Sequence, residues 1–259
     1  MLGFLSKRRR RRIMAEPFPD AWRHSLERDL GAWPTLEDDE RRVLEGIVQV
    51  MLAEKRWQGC GGLELNDRIR VAIAGQAGML LLGLEHDYYR NVTDILVYPR
   101  AYRGGQPGRR EGGVVSDQPA TRLGEAWLRG PVVLAWDAAL QGGRSDHDGR
   151  NVVYHEFAHK LDMLDGAADG VPPLEAPAAY QRWYEAMMTE YQALQRDLER
   201  GRKGLLRPYG ATAPEEFFAV AVEVFFEQGQ RLEREATELY GVLRDYFHQD
   251  PARRKPRKL

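Results

Sequence analysis

Apolar residues recur at helical spacing over most of the chain and at strand spacing only in its middle. Residues 19–57 carry Trp22, Leu26 and Leu30, then Val43, Leu44, Ile47, Val50, Met51 and Leu52, and read as helical. Arg68 to Leu84 is a further apolar helical stretch in which Gly75 and Gly78 permit close packing. Asp94-Ile95-Leu96-Val97-Tyr98 is a short strand ended by Pro99, and Pro131 to Trp136 is a buried one. Between them, Gly104 to Gly113 is a loop by composition, and Val114–Ser116 with Gly124–Leu128 suits a hairpin. Three long apolar patterns follow: Leu174 to Leu198, Pro214 to Phe226, and Leu232 to Phe247. Strands in the middle with helices on both sides predict an α+β fold.

One helical stretch carries chemistry. In Val152 to Leu164 the positions Val152, Phe157, Leu161 and Leu164 form an apolar stripe, with Gly149 before and Gly166 after suiting a helix start and stop. Inside it lies His155-Glu156-Phe157-Ala158-His159. Histidines four apart share a helix face, so both imidazoles can reach one ion, and Glu156 can address a water on it. This is the His-Glu-x-x-His arrangement of zinc hydrolases. Lys160 stands where an uncharged residue is usual and is expected to face outward.

A catalytic zinc takes three protein ligands and keeps a position for water. The single cysteine, Cys60, excludes a cysteine-based site and an internal disulfide framework, and points to a reducing, cytoplasmic setting. Three candidates remain for the third ligand. Asp162 shares the histidine face but lies too far along a straight helix, and suits a supporting or capping role. Asp165 falls at the last position of the spacing His-Glu-x-x-His-x-x-Gly-x-x-Asp, but Asp162 replaces the glycine that turns the chain. Glu216 opens an apolar helix that also holds Glu223, with Thr212 as N-cap and Pro214 in the first turn. Carboxylates beside such an apolar run are costly to bury unless paired or metal-bound. Glu216 and Glu223 lie two turns apart on one face, so one could ligate while the other holds a histidine.

Charge refines the picture. The net charge of −1 conceals two basic ends, Lys7 to Arg12 and Arg253 to Lys258. Of 38 Lys+Arg, eleven lie in these runs, which leaves 27 against 39 Asp+Glu and a body of about −12. The simplest reading of such ends is disordered and solvated; weak attachment to anionic lipid or nucleic acid is the functional alternative. Met1 to Leu5 is too short for a signal segment, and no apolar run is long enough to span a membrane.

With these residues in view, the chain resembles the Mlc titration factor A family of zinc-dependent peptidases. The resemblance rests on Ile95 to Pro99, Gly130 to Leu134, His155 to Met163 and Tyr209 to Val220, and covers roughly residues 20–250. It implies a zincin-like, gluzincin-type metallopeptidase domain related to the catalytic domain of anthrax lethal factor, with a small mixed sheet against the active-site helix. That domain would span residues 16–250, with a disordered basic tail at 1–15 and a basic tail at 251–259. The resemblance further implies zinc held by His155, His159 and Glu216, with Glu216 preferred to Glu223. Glu156 would be the general base and Tyr209 a donor to the transition state, while Asp162 and Glu223 would support the ligands. The activity expected is that of a zinc metallopeptidase, aminopeptidases included, on a peptide or protein substrate. Substrate would lie along an edge strand at Val114–Ser116 or Gly124–Leu128. The family name brings a second expectation, that the protein sequesters a transcriptional repressor of sugar uptake. Direct contact with nucleic acid is not expected.

Overall fold

The computed structural model describes residues 2–100, 130–145 and 147–255. They form an α+β fold that is mostly helical. The expected loop at 104–113 and the hairpin strands at 114–116 and 124–128 lie outside the described residues.

The chain opens with α1 (Leu2–Ala15), α2 (Asp20–Asp29) and α3 (Asp38–Glu54), with a 3-10 turn at Trp33–Thr35 between the last two. The expected single helical stretch 19–57 is therefore interrupted. Its end is strand β1 (Arg56–Gly59). Helix α4 (Asp67–Met79) follows, capped by Asn66, whose side chain accepts from the Ile69 N–H at 3.0 Å. Gly75 and Gly78 bring α4 against its neighbours. A Cβ on Gly75 would lie 2.5 Å from Leu26 and one on Gly78 2.6 Å from Leu44, so any larger residue would push α2 or α3 away.

Strands β2 (Asp94–Tyr98) and β3 (Val132–Ala135) complete a three-stranded sheet in the order β1-β2-β3. The expected sheet was mixed; among the described residues both pairings are parallel, with Trp57 opposite Ile95 and Ile95 opposite Val132. Ile95, Val97, Val132 and Leu134 turn into the core. The predicted strand ends one residue early, because Trp136 opens helix α5 (Trp136–Arg144).

Helix α6 (Val152–Asp162) carries the histidine motif. Asn151 caps it by accepting from the Val153 and Tyr154 N–H groups, both at 3.0 Å. Helix α7 (Pro177–Glu199) leads to a 3-10 turn at Pro208–Ala211 and then to α8 (Pro214–Glu227). Phe217 to Phe225 are all buried, so α8 is a core helix wrapped on every side. It packs against α6, the pairing that builds the site. The expected helix from Leu232 to Phe247 is two, α9 (Gly229–Glu235) and α10 (Thr237–Phe247), broken at Ala236.

The described parts of both ends, residues 2–15 and 251–255, differ from the expected solvated tails. Residues 2–15 are helical because Arg10, in the middle of the basic run, finds acids far along the chain. It bonds Glu54 at 2.8 to 3.0 Å, pairs with Asp87, and lies 4.6 Å over the Tyr88 ring. At the other end, Arg253 pairs with Glu233 at 2.7 Å and Arg254 with Glu40 at 2.8 Å, which fastens residues 251–255 to the body. Charge runs alone predict solvated ends; tertiary partners override that expectation.

Candidate metal centre

The site is the junction of α6 and α8. Four-residue spacing on α6 sets the rings of His155 and His159 edge to face, with centroids 4.9 Å apart. Glu216, in the first turn of α8, reaches between them. Its Oε2 lies 3.1 Å from His155 Nε2 and 3.3 Å from His159 Nε2. His155, His159 and Glu216 are all buried, and each offers a ligand atom within 4.8 Å of the others.

Two turns further along α8, Glu223 takes the opposite nitrogen of His155. Its Oε1 meets Nδ1 at 2.8 Å, while its Oε2 accepts the Asn151 N–H at 2.7 Å. The bond at Nδ1 fixes the ring and leaves Nε2 aimed at Glu216. Arg207 pairs with the same Glu223 carboxylate. Sequence reasoning passed over Arg207; its only signal was a position two residues before Tyr209. The Tyr209 ring stands 5.8 Å from that of His155, partly buried beside the cluster. Glu156, the residue after His155, is partly exposed while its neighbours are buried.

The electrostatics are those of a carboxylate-rich interior. Burial alone would push Glu216 up, but the two imidazoles overturn this and hold it well below the usual carboxylate range. Burial alone would lower His155; its bonds to Glu216 and Glu223, with the charge of Glu156 nearby, carry it instead to about 10. A strong demand for positive charge is thus built into the site. Both ring nitrogens of His159 are buried; Nε2 has only the 3.3 Å approach of Glu216, and Nδ1 has no hydrogen-bond partner among the described residues. Buried polar atoms of native proteins are rarely left so. An under-bonded imidazole, beside a second imidazole and a carboxylate, matches the nitrogen and oxygen donor set of a transition-metal site.

The other predicted residues fall elsewhere. Asp162 is fully buried; its Oδ2 accepts the Gly170 N–H at 3.0 Å, and burial raises it to about 6. It therefore anchors the segment after α6. Asp165 is exposed and bonds the Ala167 N–H, away from the cluster. Thr212 does not cap α8: Ala213 holds that place, and the Thr212 hydroxyl donates to the Tyr209 carbonyl at 2.7 Å. Lys160, expected to face outward, is only 5% exposed. Its Nζ donates to the Gly130 carbonyl at 3.2 Å, and its own carbonyl accepts from Asn91 at 2.8 Å, so it ties α6 to the approaches of β2 and β3.

Comparison with known proteins decides the lineage. The family described as glucose-regulated metallo-peptidase M90 matches residues 4–248. The chain belongs to this family. Among M90 relatives, an uncharacterized protein of Synechocystis is 41% identical over 94% of this chain and 89% of its own length. The Mlc titration factor A of Klebsiella pneumoniae is 32% identical over 85% of this chain and 83% of its own, and that of Edwardsiella ictaluri 29% over 92% and 89%. The resemblance drawn from the motifs is thereby borne out. Membership in M90 agrees with a His/Glu group able to bind a metal at the α6–α8 junction. Among the described residues no helix is long and apolar enough to cross a membrane.

Proposed function

We propose that this M90 protein is a zinc-dependent metallopeptidase of the gluzincin type, cutting peptide bonds with Glu156 as general base. The observation that carries this reading is the convergence of His155, His159 and Glu216 with both nitrogens of His159 otherwise unbonded. These three would hold the ion, and bound there it would acidify a water and polarise a substrate carbonyl. Glu156, directly after His155 and partly open to solvent, would take the proton of the attacking water and deliver it to the leaving amine. The Tyr209 phenol, next to His155, would donate a hydrogen bond to the oxygen that gains charge. Glu223, braced by Arg207 and the Asn151 N–H, would keep the His155 ring in place. The buried surroundings strengthen each of these interactions relative to water.

The decisive variant is Glu156→Gln. Zinc content by mass spectrometry should stay at the wild-type level, while hydrolysis of peptides falls about a hundred- to ten-thousandfold. Undiminished hydrolysis would remove Glu156 from the reaction.

A second reading comes from the relatives named Mlc titration factor A. By that name the protein would act by binding a repressor, with the metal centre secondary. Glu156→Gln separates the two readings, since repressor capture that survives loss of hydrolysis shows two independent functions.

A further inference from the structure

Helix α1 is a strongly charged surface that the metal centre does not use. Its residues Lys7, Arg8, Arg9, Arg11 and Arg12 are all exposed. Among the described residues, no acidic group pairs with any of them; the ion pairs of α1 belong to Arg10 alone. The helix is nonetheless held in place. Arg10 turns inward to Glu54 and Asp87, and Ile13 and Met14 lie against the body, Met14 beside Gly46 of α3. This architecture costs stability. Like charges at i, i+3 and i+4, as Arg8, Arg11 and Arg12 are, repel along a helix. The rest of the molecule, with 32 Lys+Arg against 39 Asp+Glu and so a net charge of about −7, is not used to neutralise these five.

We infer that α1 is a docking element for a bilayer surface rich in anionic phospholipid. A cationic helix fixed to an acidic body is attracted to that surface through one face, while the body stays on the far side in solvent. Each cation near such a surface adds to binding, and an anionic plane relieves the repulsion within the helix. The sequence ahead of the cations, Leu2-Gly3-Phe4-Leu5, favours lipid over nucleic acid. Apolar side chains beside a basic run supply the second signal that stable membrane attachment requires, and a phosphate backbone has no use for them. The inference is independent of the metal centre.

The test is co-sedimentation of the full chain with phosphatidylcholine vesicles made with and without phosphatidylglycerol. Binding is expected only to the anionic vesicles and should weaken as salt shortens the Debye length to ~8 Å. Replacing Lys7, Arg8, Arg9, Arg11 and Arg12 together by Gln, with Arg10 kept as the anchor, should weaken it by on the order of a thousandfold. Peptidase activity and the circular dichroism spectrum should not change. Phe4→Ser with Leu5→Ser should weaken binding while all the cations remain. Wild-type protein that ignores anionic vesicles at low salt overturns the proposal even if the multiple variant misfolds. So does vesicle binding that a folded five-site variant retains. Duplex DNA that outcompetes the vesicles for the same five residues assigns the surface to nucleic acid instead.

Discussion

Asp29 and the Glu216–Glu223 pair are carboxylates sunk in the same interior, and their surroundings are opposite. Asp29 has no exposed surface, and Arg28, Arg68 and Arg144 surround it at 2.7 to 3.4 Å. Burial would raise it, but Arg68 and Arg144 overturn this and hold it low. Cations outnumber the anion, every oxygen is bonded, and nothing further can enter. At the α6–α8 junction two carboxylates meet one arginine, Arg207, and two imidazoles that are neutral by nature. There the anions outnumber the fixed cations, and the His159 Nδ1 has no hydrogen-bond partner among the described residues. The first cluster is a closed structural staple tying α2, α4 and α5. The second is short of fixed positive charge, and its carboxylates raise His155 accordingly. What distinguishes the candidate metal cluster from the structural one is whether the protein supplies its own counterions.

The largest effects should separate the two clusters cleanly. Glu216→Ala removes the carboxylate that both histidines share, and zinc affinity should fall by more than ~100-fold while the fold persists. Asp29→Ala leaves three arginines facing an empty buried position and should cost about 3–5 kcal/mol of stability, with zinc stoichiometry unchanged in the folded fraction. Chelator competition reads the first and urea unfolding the second. Wild-type zinc affinity in Glu216→Ala would take that residue out of the ligand set.

A smaller effect tests the bridge from Arg207. If it matters by bracing Glu223, then Arg207→Met should weaken zinc by ~10–100-fold, the range for partners that orient ligands. Arg207→Lys should recover only part of this, because an ammonium lacks the planar fork of a guanidinium. The same turn carries Tyr209, so kcat should fall further than the change in zinc occupancy explains, with KM little altered. Zinc affinity equal to wild type in both variants would leave Arg207 as a surface brace and no more.

How far the site was legible follows the reach of each signal. His155, Glu156 and His159 are neighbours in sequence, so a helical period was enough to put them together. Glu216 and Glu223 were visible because two acids seven residues apart in an otherwise apolar run need a reason to be there. Arg207 has no such contrast, and its partner is sixteen residues away across a turn. Lys160 misled because a lysine defaults to solvent; the carbonyl of Gly130 that receives it lies just ahead of β3, thirty residues earlier. Strand β1 was absorbed into a helix because four residues carry no period of their own. Its identity comes from pairing with Asp94 to Val97. The helical form of residues 2–15 depends on Glu54 and Asp87, both distant in sequence. Local pattern therefore gave the helices and the motif, and the misses are groups whose partners are distant.

The finest distinction concerns a third buried acid on α8. Glu227 lies one turn beyond Glu223 and also receives a backbone N–H ahead of α6, that of Arg150 at 2.9 Å. No arginine braces it, its Oε1 is unbonded among the described residues, and burial raises it to about 9. It should therefore be protonated at neutral pH. The linkage has a definite sign. Between pH 4.5 and about 9 the folded state keeps a proton that the unfolded state has released, so stability falls as pH rises through that window. The slope is at most about 1.4 kcal/mol per pH unit. Gln at this position cannot ionise and can still accept the Arg150 N–H. Glu227→Gln should match wild type near pH 4.5 and become progressively more stable than it toward pH 9. Urea unfolding of both proteins across that range, with chelator present, gives the two curves. Parallel curves would mean that Glu227 ionises in the folded protein and that burial does not hold its proton.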